Sequence, residues 1–262
     1  MTASIRVSDS SDVRYVLRLA DTCLVLAQRL SEWCGHAPIL EEDIALANVA
    51  LDLLGQARVL LTHAGELEAR ASGGAALTCD ELAFLREERD YLNPTLLELP
   101  RGDFAFTVLR NATVASWLRL LWGRLLGSSD LQLAAIAGKA LKESRYHQQH
   151  AADWVVRLGR GTEESARRMT HALEALWPYT AELFEVDALD EAAAASGLGP
   201  RACELREPWL AQMSSLLAEA HLTTPLESPF RSSGKQGRHS EHMGYLLADL
   251  QFLQRAYPGG VW

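Results

Sequence analysis

The stretch Leu131-Gln-Leu133-Ala-Ala-Ile136-Ala-Gly-Lys139-Ala140-Leu-Lys142-Glu143-Ser144-Arg-Tyr-His147-Gln-Gln-His-Ala151-Ala-Asp-Trp154-Val-Val-Arg-Leu158 sets the architecture of this chain. Leu133, Ile136, Ala140, Ser144, His147, Ala151, Trp154 and Leu158 recur at alternating intervals of three and four, so they line one face of a long helix. Two members of that apolar line, Ser144 and His147, are polar. A buried imidazole must find hydrogen bonds, because stranding one costs about 1–3 kcal/mol.

The same recurrence runs outward in both directions, and a strand period of two is missing. Ser10, Ser11 and Asp12 offer N-caps for a first helix to about Trp33. Gly35 and Pro38 mark a turn, and Glu41, Glu42 and Asp43 put acid at the positive end of a second helix reaching about Glu68. A loop is expected over Ala71–Ala76 and a shorter helix over Asp80–Leu92, broken at Asn93-Pro94. A fourth helix follows Pro100-Arg-Gly-Asp103 and ends near Gly127; Ser128-Ser-Asp130 caps the quoted fifth helix, and Thr162 starts a sixth with a kink at Pro178. From Gly197 the pattern loosens around four prolines and a basic Gly/Ser loop, Arg231 to His239, before a last helix from about Ser240 to Tyr257. The reading is one all-α domain over residues 1–262, with a core bundle at about 12–185 and a C-terminal extension at about 197–262.

Each bundle helix has a stripe of its own. The second carries Leu46, Val49, Leu53, Gln56 and Leu60; the fourth carries Val108, Asn111, Ala115, Leu118, Trp122 and Leu125. On the first, Leu17, Ala20, Leu24, Gln28 and Ser31 share a face, and Leu19, Cys23, Leu26 and Leu30 make a competing one. Four-helix bundles that hold two irons do so with Glu-x-x-His on two helices and a Glu on each of two others. Here the corresponding pairs are Leu53-x-x-Gln56 and Ser144-x-x-His147, with Ala115 and Gln28 on the other two helices. Of six ligands one histidine survives, and no metal centre is expected in the chain. Either Gln28, Gln56 and His147 satisfy each other as a polar plug, or each bonds to a nearby carbonyl or water. Glu143 with His147 is the i,i+4 pair from which a reduced metal site of an oxidase could be built. Lys139 stands four residues before Glu143, however, which is the spacing of an ion pair. His239-Ser-Glu-His242 has no third ligand nearby, and no catalytic residue is assigned.

Bulk properties narrow the partners. In 262 residues, 48% are hydrophobic and 23% charged, an ordinary globular balance. A net charge of -9 argues against nucleic acid and anionic membranes, and no apolar run approaches a membrane span. The N-terminal residues lack the apolar core of a signal peptide, and the four cysteines form no C-x-x-C pair, so a reduced, cytoplasmic protein is expected. There is no phosphate loop, nucleophile elbow or dinucleotide fingerprint. The basic loop 231–239 reads as a solvated loop or a partner contact, and the polar run Arg86–Pro94, with Asp90, Tyr91, Leu92 and Asn93, as a helix end or a ligand edge.

Longer runs carry a resemblance. Arg29-Leu-Ser-Glu-Trp-Cys-Gly-His-Ala-Pro38, Glu41-Glu-Asp-Ile-Ala-Leu-Ala-Asn48, Leu51-Asp-Leu-Leu-Gly-Gln-Ala-Arg58, Gly102-Asp-Phe-Ala105, Lys139–His147, Trp177-Pro-Tyr-Thr-Ala-Glu-Leu-Phe184, Gly237–His242, Leu250–Arg255 and the final Trp262 are similar to the C subunits of bacterial phenylacetyl-CoA epoxidases. The resemblance implies a ferritin-like four-helix bundle with additional helices. It implies a non-catalytic structural subunit that pairs with a homologous di-iron catalytic subunit in aerobic phenylacetate degradation. A bridging small subunit and a reductase complete such complexes, and phenylacetyl-CoA is their substrate, with its contact on this chain expected near Asp90, Tyr91, Leu92 and Asn93.

Overall fold

A computed structural model describes residues 4–260; the C-terminal Trp262 lies outside them. The described residues fold into helices without a named strand, and their one β-bridge joins Ser233 to Arg238. The chain forms two compact units, Met1–Pro100 with Ser232–Trp262, and Arg101–Arg231.

In the first unit α1 (Ser11–Ser31) packs along α2 (Leu40–Ser72). α1 is buried almost all round, including both stripes read from sequence except Ser31, which is exposed, and Gln28, which is partly exposed. α2 outruns the expected Glu68 to Ser72, so the loop foreseen at Ala71–Ala76 begins only at Gly73, whose positive φ of 71° ends the helix. The next helix, α3 (Cys79–Phe84), starts with a capping box between Thr78 and Glu81 and stops well short of Leu92. The reason is Arg86, whose side chain turns inward with no exposure at all.

The segment that follows is unusual. Residues 91–99 are irregular apart from one short 3-10 turn, yet every one is buried. Buried backbone groups need partners, and here side chains supply them. Asp21, from the interior of α1, accepts from both Arg86 Nη atoms and from Leu92 N at 2.9 Å. Arg86 donates Nε to Leu82 O at 2.6 Å and Nη1 to Asp90 O at 3.0 Å, and its guanidinium lies 4.2 Å from the Tyr91 ring centroid. Arg29 donates to Glu98 O at 2.7 and 3.2 Å.

The C-terminal part of the unit closes over this segment. α9 (Glu241–Ala256) sends Gln251 to Arg86 O at 3.1 Å and to the Tyr91 hydroxyl at 2.8 Å, and Arg255 to Arg86 O at 2.9 Å. The basic loop read as solvated is instead packed, with Gly234 and Lys235 buried. Gly234 N donates to Thr95 Oγ1 at 3.0 Å, and a Cβ on Gly234 would stand 2.5 Å from Asn93 O, so no larger residue fits.

In the second unit α4 (Phe104–Leu125), capped by Asp103, packs along α5 (Leu131–Gly159), capped by Asp130. α6 (Glu163–Leu176) runs into a 3-10 helix at Trp177–Phe184, where Pro178 converts the expected kink into a change of helix type. α7 (Ala188–Ser196) precedes the loosened region, which holds a helix that its sequence pattern conceals, α8 (Arg206–Glu219). Pro208 lies in the first turn of α8, where a missing N–H costs no helical bond. The face of α5 also drifts from the strict alternation. Leu133, Ala140, Ser144, His147 and Ala151 are buried as expected, but Ala137, Val155 and Gly159 replace Ile136, Trp154 and Leu158. A straight helix turns slightly less per residue than a 3.5 repeat assumes, so towards the C-terminal end the line falls one residue later, at Val155 and Gly159. Gly159 then meets the end of α8, where an added Cβ would fall 2.3 Å from Ala220 O.

Removing one partner of a buried ion pair strands the other. Asp21→Asn is therefore expected to lower stability by about 3–5 kcal/mol in urea unfolding, with Asp21→Asn/Arg86→Met recovering much of that loss. A single variant as stable as the parent would contradict the role given to the pair.

Candidate functional site

The six positions compared with di-iron ligands fall on four helices. Leu53 and Gln56 on α2 are buried, and Gln28 on α1 is partly exposed; all three belong to the first unit. Ala115 on α4 and Ser144 and His147 on α5 are buried in the second. Gln56 Oε1 accepts from Cys23 Sγ at 3.5 Å, which ties α2 to the competing stripe of α1. Ser144 Oγ, fully buried, finds no hydrogen-bond partner among the described residues, and neither do Asn111 Oδ1 and Trp122 Nε1 on α4.

The donor chemistry of these positions is thin. One imidazole, two primary amides and a hydroxyl stand where two irons would require four carboxylates and two imidazoles. Without carboxylates the cationic charge of two irons has no balance, so the residues present do not fit that centre. Among the described residues no three His, Cys, Asp or Glu are grouped to hold a metal ion. Glu143, one turn before His147, lies 3.4 Å from Lys139 Nζ, as the spacing suggested, although its side chain is half-buried rather than solvated. Gln148 beside His147 is a polar hub that sequence reading missed. It accepts from Arg119 at 2.6 Å and donates to Ser116 and Gln212, each at 3.0 Å, which joins α4, α5 and α8.

The stretch Asp90–Asn93, read as a helix end or a ligand edge, is mostly interior: Tyr91, Leu92 and Asn93 are buried and Asp90 is partly exposed. Burial pushes the Tyr91 hydroxyl up to about 12 despite the neighbouring Arg86 charge, so it stays neutral and bonds to Ala83 O and Gln251.

His239 also has a structural post. Its Nδ1 is 3.0 Å from Glu98 Oε1 and its Nε2 3.0 Å from Tyr91 O, and the same carboxylate accepts from Ser240. Burial opposes charge on the ring, but the Glu98 hydrogen bond and charge, with the Tyr91 carbonyl, outweigh it and hold the imidazole above its ordinary value. A charged Asp or Glu among apolar helix positions, such as Asp21, was the available signal for this network; Glu98 offered none, because its partner is 141 residues away.

The sequence as a whole has clear relatives. The family of phenylacetic acid catabolic proteins matches residues 2–262. The chain belongs to that family. Its all-helical, ferritin-like fold is the one such membership carries. The chain is 48% identical over 248 residues to the C subunit of 1,2-phenylacetyl-CoA epoxidase from Escherichia coli (strain K12), covering 95% of this chain and 98% of that protein.

Two outcomes follow from the site. Ser144→Ala removes an unpartnered hydroxyl and is expected to leave stability unchanged or raise it by up to about 1 kcal/mol in urea unfolding; a clear loss would mean that the hydroxyl holds something. His239 is charged in the fold below its raised value and neutral in the unfolded chain above about 6.5. The stability it contributes is full below that ordinary value and is lost as pH rises through the folded one. Urea midpoints measured from mildly acidic to mildly alkaline solution should fall more steeply for the parent than for His239→Gln, and parallel profiles would contradict this.

Proposed function

We propose that this chain is the structural, non-catalytic subunit of a phenylacetyl-CoA epoxidase complex, a single ferritin-like domain pairing with a homologous di-iron catalytic subunit. The observation that carries this reading is the identity of 48% across nearly the whole length of the C subunit of that enzyme from Escherichia coli. The donor set supports it: Leu53, Gln56, Ala115 and Ser144 stand where ligands would be needed, and Gln28 and His147 alone cannot replace them. In this reading the chain carries no cofactor, and the iron, the oxygen chemistry and the ring of phenylacetyl-CoA belong to the partner. A bridging small subunit and a reductase complete the assembly.

An interface must come from surface, and α2 offers the right kind. Leu40, Ile44, Leu51, Leu54 and Val59 are between 45% and 73% exposed, in addition to the leucines that the same helix buries. This double apolar character makes α2 the one described helix long and apolar enough to pass for a membrane span. An apolar row of this extent on a helix fits a protein partner. Asp90 is the member of its segment left to reach a CoA ester at the rim.

Co-expression with the di-iron subunit tests the pairing. The two are expected to elute together from a sizing column at micromolar concentration, and Leu51→Lys/Leu54→Lys to separate them while the chain melts as before. Independent elution of the unaltered chains would end the reading.

A further inference from the structure

The motif Trp177-Pro-Tyr-Thr-Ala-Glu-Leu-Phe184 has no part in the role just described. In the second unit it forms a 3-10 helix whose Trp177 and Phe184 rings meet Trp209 of α8, with centroids 5.6 and 5.0 Å apart. These three rings line a cleft of about 430 Å³, a size within the range of small-molecule sites. The facing wall is the irregular return from α8, where Pro225 and Leu226 add apolar surface.

Two guanidiniums stand in the lining, Arg206 on α8 and Arg231 at the end of the return. Glu227 lies between them, 3.3 Å from Arg206 Nη2 and 3.4 Å from Arg231 Nη2. Arg231 is fixed further by Glu185 at 3.1 Å and by donating to the carbonyls of Ser228 and Phe230. Side-chain exposures of 44% for Arg206, 48% for Arg231 and 61% for Glu227 make these contacts weak, since solvent screens them. A carboxylate that belongs to the chain thus occupies a two-arginine seat beside an aromatic floor, and a stronger competitor can displace it. Guanidinium geometry matches a planar carboxylate, and the rings match a planar apolar group.

We infer that this cleft binds a small aromatic carboxylate. The ring lies against Trp177, Phe184 and Trp209, and the carboxylate takes the place of Glu227 between Arg206 and Arg231. Arginines alone would take any anion and rings alone any flat apolar molecule; the two together select a ligand that carries both groups. The site lies within one unit of the chain, so it stands or falls separately from subunit pairing.

Calorimetric titration of the full purified chain with phenylacetate tests it, with acetate as the anion without a ring and phenethylamine as the ring without the anion. Phenylacetate is expected to bind saturably at one site per chain, and the other two not to bind. Arg206→Ala should weaken binding at least about tenfold, the loss of one charge-assisted hydrogen-bonded pair. Glu227→Gln should tighten it roughly two- to fivefold by removing the internal competitor. Arg206 is the better probe because Arg231 also braces the wall, and thermal melting of each variant verifies that the fold is kept. No saturable heat with phenylacetate overturns the inference. So does equal binding of acetate, or unchanged affinity in an Arg206→Ala chain that melts like the parent. Affinity in Glu227→Gln at or below that of the parent also overturns it.

Discussion

The first unit depends on one constraint: an irregular stretch of chain, residues 91–99, is buried where a helix could have satisfied its own backbone. Loops usually run over the surface because water meets their polar groups. Here the ion pair of Asp21 and Arg86 and the ring of His239 do that work at the start of the stretch, and Arg29 does it at Glu98. An isolated buried charge would be costly, but each of these charges is matched by a counter-charge or by several hydrogen bonds. The tail of the chain, 232–256, is needed for this closure, which explains why it joins the first unit although 131 residues intervene between Pro100 and Ser232.

The second unit meets its constraint differently. α4 and α5 pack along each other, α5 closely meets the end of α8 at Gly159, and several buried polar atoms of the pair have no partner among the described residues. Buried atoms such as Ser144 Oγ and Trp122 Nε1 have no partner among the described residues, and α4 also buries the whole Arg110 side chain. A metal centre would demand the opposite, a shell of carboxylates fixed by further hydrogen bonds. The surface carries two features the interior lacks: the exposed apolar row of α2 and the arginine-rimmed aromatic cleft.

Much of this was legible in the residues. The three-and-four periodicity gave the long helices, and Asp103, Asp130, Thr162 and Ser240 announced their starts by the capping chemistry they perform. Helix ends were harder, because α2 continues through good helix formers until a glycine permits the left-handed turn. α8 was hidden by Pro208, which reads as a breaker but sits in the first turn. The candidate positions Leu53, Gln56, Ala115, Ser144 and His147 are buried as their place in apolar lines implies. The buried segment and its clasp were not legible. Charges at 86–90 look like a solvated helix end until Asp21, 65 residues away, is seen to face them, and the basic loop looks solvated until Gly234 is found against Asn93.

The central claim is that this bundle lacks a metal centre of its own, and metal content measures it most directly. The chain should be expressed alone in iron-supplemented medium, purified without chelators and analysed by elemental mass spectrometry alongside protein quantitation. The account predicts no stoichiometric iron, zinc or manganese. Two irons per chain would contradict it outright, and a single bound metal lost on His147→Ala would show that the surviving imidazole still holds a site.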